Sequence, residues 1–328
     1  MSWPVRIVSV GSHTPAVRVS SAELDAAHGR ASGTTLARSG VVARHWIGPD
    51  ETSLGMTADA VAQALDRAGW SVDDLDALIV ASVAPEQPMP TTAMLTAARL
   101  GARDGVLQAF DVNASCLGFL TALQQACFGM AAGGWRRVAV AAVDIASKGL
   151  NHADLESSAL FGDGAAAVLL ERSPSSEILA LRLTGYPSAA GLCRIPAGGT
   201  RWNAITPPPS PDDYLFTMDG LGMMKLVARE MPGFLDGLLA EAGVSADAID
   251  AVVPHQASGL GLRFLRERLP VRPGTVIDIL AERGNQVSAS MPTALAHAVD
   301  TGRLRRGQLC LLIGTGAGLL FGGAVLRY

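Results

Sequence analysis

Residues 68–80 read AGWSVDDLDALIV and residues 242–254 read AGVSADAIDAVVP, the same unit spelled twice. The Ala-Gly, the Ser, one Asp and the Asp-Ala pair fall in register. A helical stretch precedes each copy, MTADAVAQALDRAG before the first and LVAREMPGFLDGLLAEAG before the second. The Gly suits a helix C-terminus, and the apolar run after it suits a buried strand. The unit is therefore helix, turn, strand, and it occurs in both halves of the chain.

Three further matches follow in the same order. AFDVNASCLGFLTAL (109–123) faces VIDILAERGNQVSASMPTAL (276–295). WRRVAVAAV (135–143) faces RRGQLCLLI (305–313), and FGDGAAAVLL (161–170) faces FGGAVLRY (321–328). Four matches in sequence predict a duplicated α/β unit with mixed sheets. The pattern breaks at ERSPSS (171–176), so the expected halves are residues 1–172 and 173–328. Halves of this kind pack about a pseudo-twofold axis that brings equivalent loops together. The Cys116 loop then matches the loop holding Asn285, the strand end at Ala81 matches His255, and the turn at 143–150 matches GTGAG (314–318).

The chain has 328 residues, too many for one ordinary core. It is 49% hydrophobic and 17% charged, with a formal net charge of −4. No global electrostatic attraction to nucleic acid or membrane is implied. Four cysteines form no C-x-x-C pair, and no His cluster has ligand spacing, so neither a metal site nor a disulfide framework is expected. A reducing cytoplasm is the expected compartment, and MSWPVRIVSV has no signal-peptide pattern. Residues 309–326, LCLLIGTGAGLLFGGAVL, carry no charge and approach the ~20 residues of a bilayer span. Five interrupting glycines predict two buried strands and a glycine loop instead.

Within this frame Cys116 draws attention. It follows an apolar run and a short polar loop, and CLGFLTALQQACFGMAA after it has helical spacing. A helix N-terminus offers free N–H groups and about half a positive charge, and a thiol reacts as its thiolate. A stabilised anion is expected there. Cys127, Cys193 and Cys310 read as inert core residues. His255 ends the strand AVVPHQ. Alone, it is as readily a hydrogen-bonded core residue as a functional one. Asn285, beside Gly284, also suits a turn. Together the three supply a nucleophile and two hydrogen-bond donors. GTGAG precedes a strand rather than a helix, so it is no dinucleotide fingerprint; its N–H groups suit an oxyanion. FGDG (161–164) reads as a tight turn into AAAVLL rather than a catalytic Asp.

DVNASCLGF, VVPHQAS, GNQVSAS and the glycine-rich C-terminus resemble the thiolase superfamily, and within it the β-ketoacyl-acyl-carrier-protein synthase III family. SGVVARHWIGPDETS (39–53) and FGDGAAAVLLE extend the resemblance over nearly the whole chain. The resemblance implies a homodimer with a five-layered αβαβα fold. It implies a catalytic set of Cys116, His255 and Asn285, and an oxyanion hole from the N–H groups of Cys116 and Ala317, with Gly316 and Gly318 beside the substrate. The implied reaction is acyl transfer from a thioester to Cys116, then decarboxylative Claisen condensation with a malonyl thioester to a β-ketoacyl thioester. No metal or redox cofactor is implied; the thioesters ride on CoA or on the phosphopantetheine of an acyl carrier protein.

Two positions depart from the resemblance. Thr34 stands where the family often has a Trp that stacks on the adenine of CoA, although Arg38 keeps a basic group nearby. Leu260 replaces a further basic residue. Both weaken the case for free CoA and favour an acyl carrier protein, or a specialised thioester, as donor. Arg263, Arg266 and Arg268 read equally as a solvated helix face or as a dock for phosphopantetheine or an acidic carrier. Met89 matches a residue that the partner subunit adds to the acyl pocket; plain dimer packing is the other reading. TRWNAITPPPSPDDY (200–214) reads as a surface loop. Other outcomes are transfer of the acyl group to an oxygen or nitrogen acceptor, non-decarboxylative joining of two acyl chains, and a non-catalytic partner subunit. The second is disfavoured because Met89 stands where those relatives use a carboxylate base. The third is disfavoured because all three reactive groups are retained.

Overall fold

The computed structural model describes residues 3–328. Its architecture follows from how the repeated unit folds. The helix Ser53–Ala68 ends at Gly69 with φ +67°, and the helix Gly220–Ala242 ends at Gly243 with φ +66°. Only a residue without a Cβ takes this left-handed turn at low cost. Each glycine N–H caps the helix it ends, on Leu65 and Asp66 in one half and Leu239 and Ala240 in the other. One 3₁₀ turn then leads into the strand Ala77–Ala81 or Ala251–Pro254.

The first sheet runs in the order Val5–His13, Gly164–Arg172, Arg137–Asp144, Ala77–Ala81, Gln108–Val112. The second runs Ile178–Gly185, Leu320–Arg327, Leu309–Gly316, Ala251–Pro254. A parallel bridge from Val252 to Val276 adds a short fifth position. The two orders match position by position, and so do the senses of pairing: two antiparallel contacts, then two parallel ones. The uncharged stretch 309–326 is an antiparallel strand pair in this second sheet, with Ile313 opposite Gly323.

Alternation along the strands sorts the layers. Ala77, Ile79, Ala81, Val140, Val253, Leu312 and Ala324 share one core with the helices Gly118–Ala131 and Ser290–Asp300. The opposite face of the first sheet (Leu78, Val80, Ala141) packs on Ser53–Ala68 and Thr92–Arg99. The opposite face of the second sheet (Val252, Leu311, Ile313) packs on Gly220–Ala242. The result is helix, sheet, helix pair, sheet, helix: five layers with both sheets covered on both faces. That is why the strands read as continuous apolar runs. Among the described residues, no helix is long and apolar enough to cross a membrane.

Candidate active site

The pseudo-symmetry extends to single hydrogen bonds. Asn113 accepts at Oδ1 from Ser115 N (3.0 Å) and donates from Nδ2 to Val83 O (3.2 Å). Asn285 accepts at Oδ1 from Val287 N (2.8 Å) and donates from Nδ2 to Ala257 O (3.1 Å). Ser115 and Val287 are the described non-glycine residues with positive φ, +51° and +52°. Such backbone costs on the order of 1–3 kcal/mol and persists where its surroundings over-determine it. Here an Asn side chain locks each turn. The first turn delivers Cys116; the second delivers Asn285 itself.

Cys116 precedes Leu117, which caps the helix Gly118–Ala131. The strand Leu309–Gly316 passes against this loop. A Cβ on Gly316 would lie 3.2 Å from Leu117 N and 3.3 Å from Ala114 O. Immediately beyond, the backbone N–H of Ala317 lies close enough to the sulfur of Cys116 to favour its anion, as does the N–H of Cys116 itself. His255 follows the neighbouring strand, its N–H bonded to Ile313 O at 2.8 Å. A Cβ on Gly314 would lie 2.7 Å from His255 Cβ and 3.3 Å from Leu117 Cδ2. Thus His255 and the Cys116 loop flank the same strand end. Asn285 joins through Ala257, whose N–H bonds His255 O at 2.9 Å. Loops from both halves of the chain meet here.

Burial of His255, which is 4% exposed, lowers its pKa to about 4, so its imidazole is neutral near pH 7. Its Nδ1 is buried and unpartnered among the described residues. Asn285 is 5% exposed, and its amide has a second N–H beyond the one given to Ala257. The thiol departs from the expected stabilised anion. Cys116 keeps some solvent contact, yet enclosure first, and then the Asp144 carboxylate, raise its pKa to about 12. The N–H groups of Ala317 and Cys116 oppose this without cancelling it. Sequence position supplied the helix start; it could not supply a carboxylate from another strand.

Asp144 is the residue that the sequence reading passed over. It is 3% exposed and accepts from Val83 N (2.8 Å), Ser288 N (2.9 Å) and Ser288 Oγ (2.5 Å). Its only signal was its place in the repeat, where it matches Gly314. Asp163 of FGDG is also buried. It accepts from Ile47 N and from Ser147 N and Oγ, which is a structural role at a turn. Among the described residues, no cluster of His, Cys, Asp and Glu could hold a metal ion.

The expected carrier-binding residues lie outside this group. Arg38 lies in the last turn of the helix Thr34–Ser39 and pairs with Glu156 at 2.6 Å. Arg266 pairs with Asp278 at 2.5 Å, and the guanidinium of Arg268 lies 5.9 Å from the Phe264 ring centre. These arginines and Arg263 share the helix Gly259–Arg268. Thr34 Oγ1 is turned back on Ala31 O at 2.6 Å, and Leu260 is exposed. Met89 is 81% exposed, so it lines no pocket within this chain. Gly318 takes φ +117° in the turn after Ala317. Most of 200–214 is exposed, with one 3₁₀ turn at Pro211–Tyr214.

Comparison with known proteins accounts for the fold. The family model described as "3-Oxoacyl-[acyl-carrier-protein (ACP)] synthase III" matches residues 110–187, and its C-terminal companion matches residues 239–328. The β-ketoacyl-[acyl-carrier-protein] synthase III of Prochlorococcus marinus is 34% identical, covering 99% of this chain and 96% of that one. The 3-oxoacyl-[acyl-carrier-protein] synthase III of Aquifex aeolicus superposes with a TM-score of 0.89 at 30% identity, covering 99% of this chain and all of that one. The corresponding Pseudomonas aeruginosa structure gives 0.88 at 31% identity, covering 99% and 98% of the two chains. With matched strand orders, five layers and full-length similarity, this chain belongs to the 3-oxoacyl-[acyl-carrier-protein] synthase III family.

Proposed function

We propose that the protein transfers an acyl group from a thioester to Cys116 and condenses it with a malonyl thioester, with loss of CO₂, to give a β-ketoacyl thioester. The observation that carries this reading is the packing of His255 and the Cys116 loop on the same strand end at Gly314, with the Ala317 N–H close to the sulfur and the imidazole neutral. A thiol held as S–H needs a base during attack, and a neutral imidazole is one. The N–H groups of Ala317 and Cys116 then hold the oxyanion, each worth about 10²–10³ in rate. The carrier thiol leaves with the proton, and the acyl group stays on sulfur.

In the second half, the carboxyl–carbon bond of the malonyl group breaks and CO₂ departs. The electron pair is left as an enolate. An N–H of His255 and the spare N–H of Asn285 stabilise its oxygen; a carboxamide donates there without losing its proton. The enolate carbon attacks the acyl carbonyl on Cys116, and the thiolate is expelled and reprotonated. The thioesters and these side chains supply the chemistry.

The donor is an acyl carrier protein in preference to free CoA. Thr34 offers no ring for an adenine, Leu260 offers no charge, and Arg38 is already engaged by Glu156. The working unit is a homodimer. Gln108–Val112 is an edge of the first sheet, a ready template for a second copy. Met89 and Met94 are exposed apolar side chains near it, because Thr92 N and Ala93 N both bond Asp111 at 2.8 Å. Met89 then enters the acyl pocket of the partner.

Intact-protein mass spectrometry after incubation with acyl-carrier and acyl-CoA donors tests the first half. A mass increment lost in Cys116→Ala is expected, larger with carrier donors. Release of labelled CO₂ and a β-ketoacyl product on adding malonyl carrier protein test the second. Acyl-enzyme that consumes no malonyl thioester would overturn the condensation.

A further inference from the structure

We infer that Asp144 is a positioning residue for the condensation half-reaction: its carboxylate spans the seam between the two halves and fixes the turn that aims Asn285. The inference rests on the function proposed above and adds a residue to it. Asp144 ends the strand Arg137–Asp144 of the first sheet. One carboxylate oxygen, Oδ1, faces the first half, where Val83 N donates at 2.8 Å and Ser82 Oγ lies at 3.3 Å. The other, Oδ2, faces the second half and takes both the N–H (2.9 Å) and the hydroxyl (2.5 Å) of Ser288.

Ser288 follows Val287, the strained residue whose N–H is held by Asn285. The turn 285–288 is therefore clamped at both ends, by the Asn285 amide inside and by Asp144 from the other half. Releasing the outer clamp lets Val287 relax from its left-handed backbone, and Asn285 Oδ1 turns with it. Ser288 also packs beneath the nucleophile helix: a Cβ on Gly118 would lie 3.4 Å from Ser288 Cβ and 3.0 Å from Ala81 Cβ. The Cys116 turn itself is held independently by Asn113. Burial raises the Asp144 pKa to about 6, and above that pH the ionised form supplies the acceptors that the clamp needs.

Asp144→Asn keeps the shape but leaves an NH₂ against the Ser288 N–H, or against Val83 N if it flips. The test measures both half-reactions on the full-length protein: formation of acyl-Cys116 by intact mass, and CO₂ release from malonyl carrier protein. In Asp144→Asn, CO₂ release should fall about tenfold or more in kcat with KM little changed, as for a misplaced group. Acylation should not fall, since its donors sit on other loops and loss of the Asp144 charge eases ionisation of Cys116. Amide exchange at 285–290 should quicken. Ser288→Ala, which removes the hydroxyl bond and keeps the N–H bond, should move the same ratio in the same direction by less. It decides the matter if Asp144→Asn does not fold. Equal loss in both half-reactions, or unchanged CO₂ release in either variant, overturns the inference. A wild-type protein that forms no acyl-Cys116 instead defeats the proposed function, and amide exchange still reads the clamp.

Discussion

The backbone N–H of Ala317 lies close to the sulfur of Cys116, although the two residues sit in loops that follow strands of different sheets, in different halves of the chain. One donor therefore lies where an oxyanion would form during attack by that sulfur, while the same sulfur is held as a thiol. Several expectations follow from that combination.

Alkylation of Cys116 by iodoacetamide should be slow at pH 7 relative to an unburied thiol. It should still be rising above pH 9, because the pKa is raised to about 12 and thiolate alone reacts. Rates by intact mass across pH check this. A plateau near pH 7 would mean that the sulfur is a resting thiolate after all.

Asn285→Asp keeps an acceptor for Val287 N and loses the N–H that would meet the enolate. It also sets a negative charge against a forming one. CO₂ release should drop about 10²–10³-fold while acyl-Cys116 still accumulates. Equal loss of both steps would remove Asn285 from the second half-reaction.

His255 binds a proton less readily in the folded chain than in the unfolded one, about 4 against 6.5. Between those values the unfolded state holds more protons, so this residue withdraws stability as pH falls from 6.5 towards 4. Asp144 acts oppositely in part of that window, from 3.8 to about 6, so the comparison must be between wild type and His255→Gln. Thermal melts at stepped pH should show a smaller acid loss in His255→Gln. Parallel curves would contradict it.

Gly314→Ala forces a Cβ to 2.7 Å from His255 Cβ. Overpacking of this kind costs about 1–3 kcal/mol, and the displaced imidazole should lower both half-reactions. Chemical denaturation and the two assays read it. Normal activity would mean that His255 has room to retreat without consequence.

Glu156→Ala frees Arg38 from its exposed ion pair. Such a pair is worth roughly 0–1 kcal/mol, so stability should barely change. KM for a phosphate-bearing CoA donor should fall a few-fold, by about the same energy, whereas Arg38→Ala alone should change it little. The reverse ranking would show Arg38 already available to substrate.

Much of the fold was legible because duplication is a sequence-level fact. The Gly69 and Gly243 helix ends, the apolar strand runs after them and the five-glycine break in 309–326 each have local causes. Cys116 and His255 could be singled out because each follows an apolar run, whereas Asn285, after Glu282-Arg283-Gly284, was marked only by its company and by the family resemblance. The arginines were less legible. Their type suggested anion binding, but Glu156 and Asp278, which occupy Arg38 and Arg266, lie on other elements.

The sequence by itself determined a twice-written α/β unit and the residue types that can carry acyl chemistry, since periodicity, turns and side-chain chemistry are local properties. Tertiary structure decided the state of the thiol, the neutrality of His255 and the place of Asp144. Those depend on which distant groups share a low-dielectric seam, and charge, solvent exclusion and hydrogen-bond partnership there arise only when the two halves close on each other.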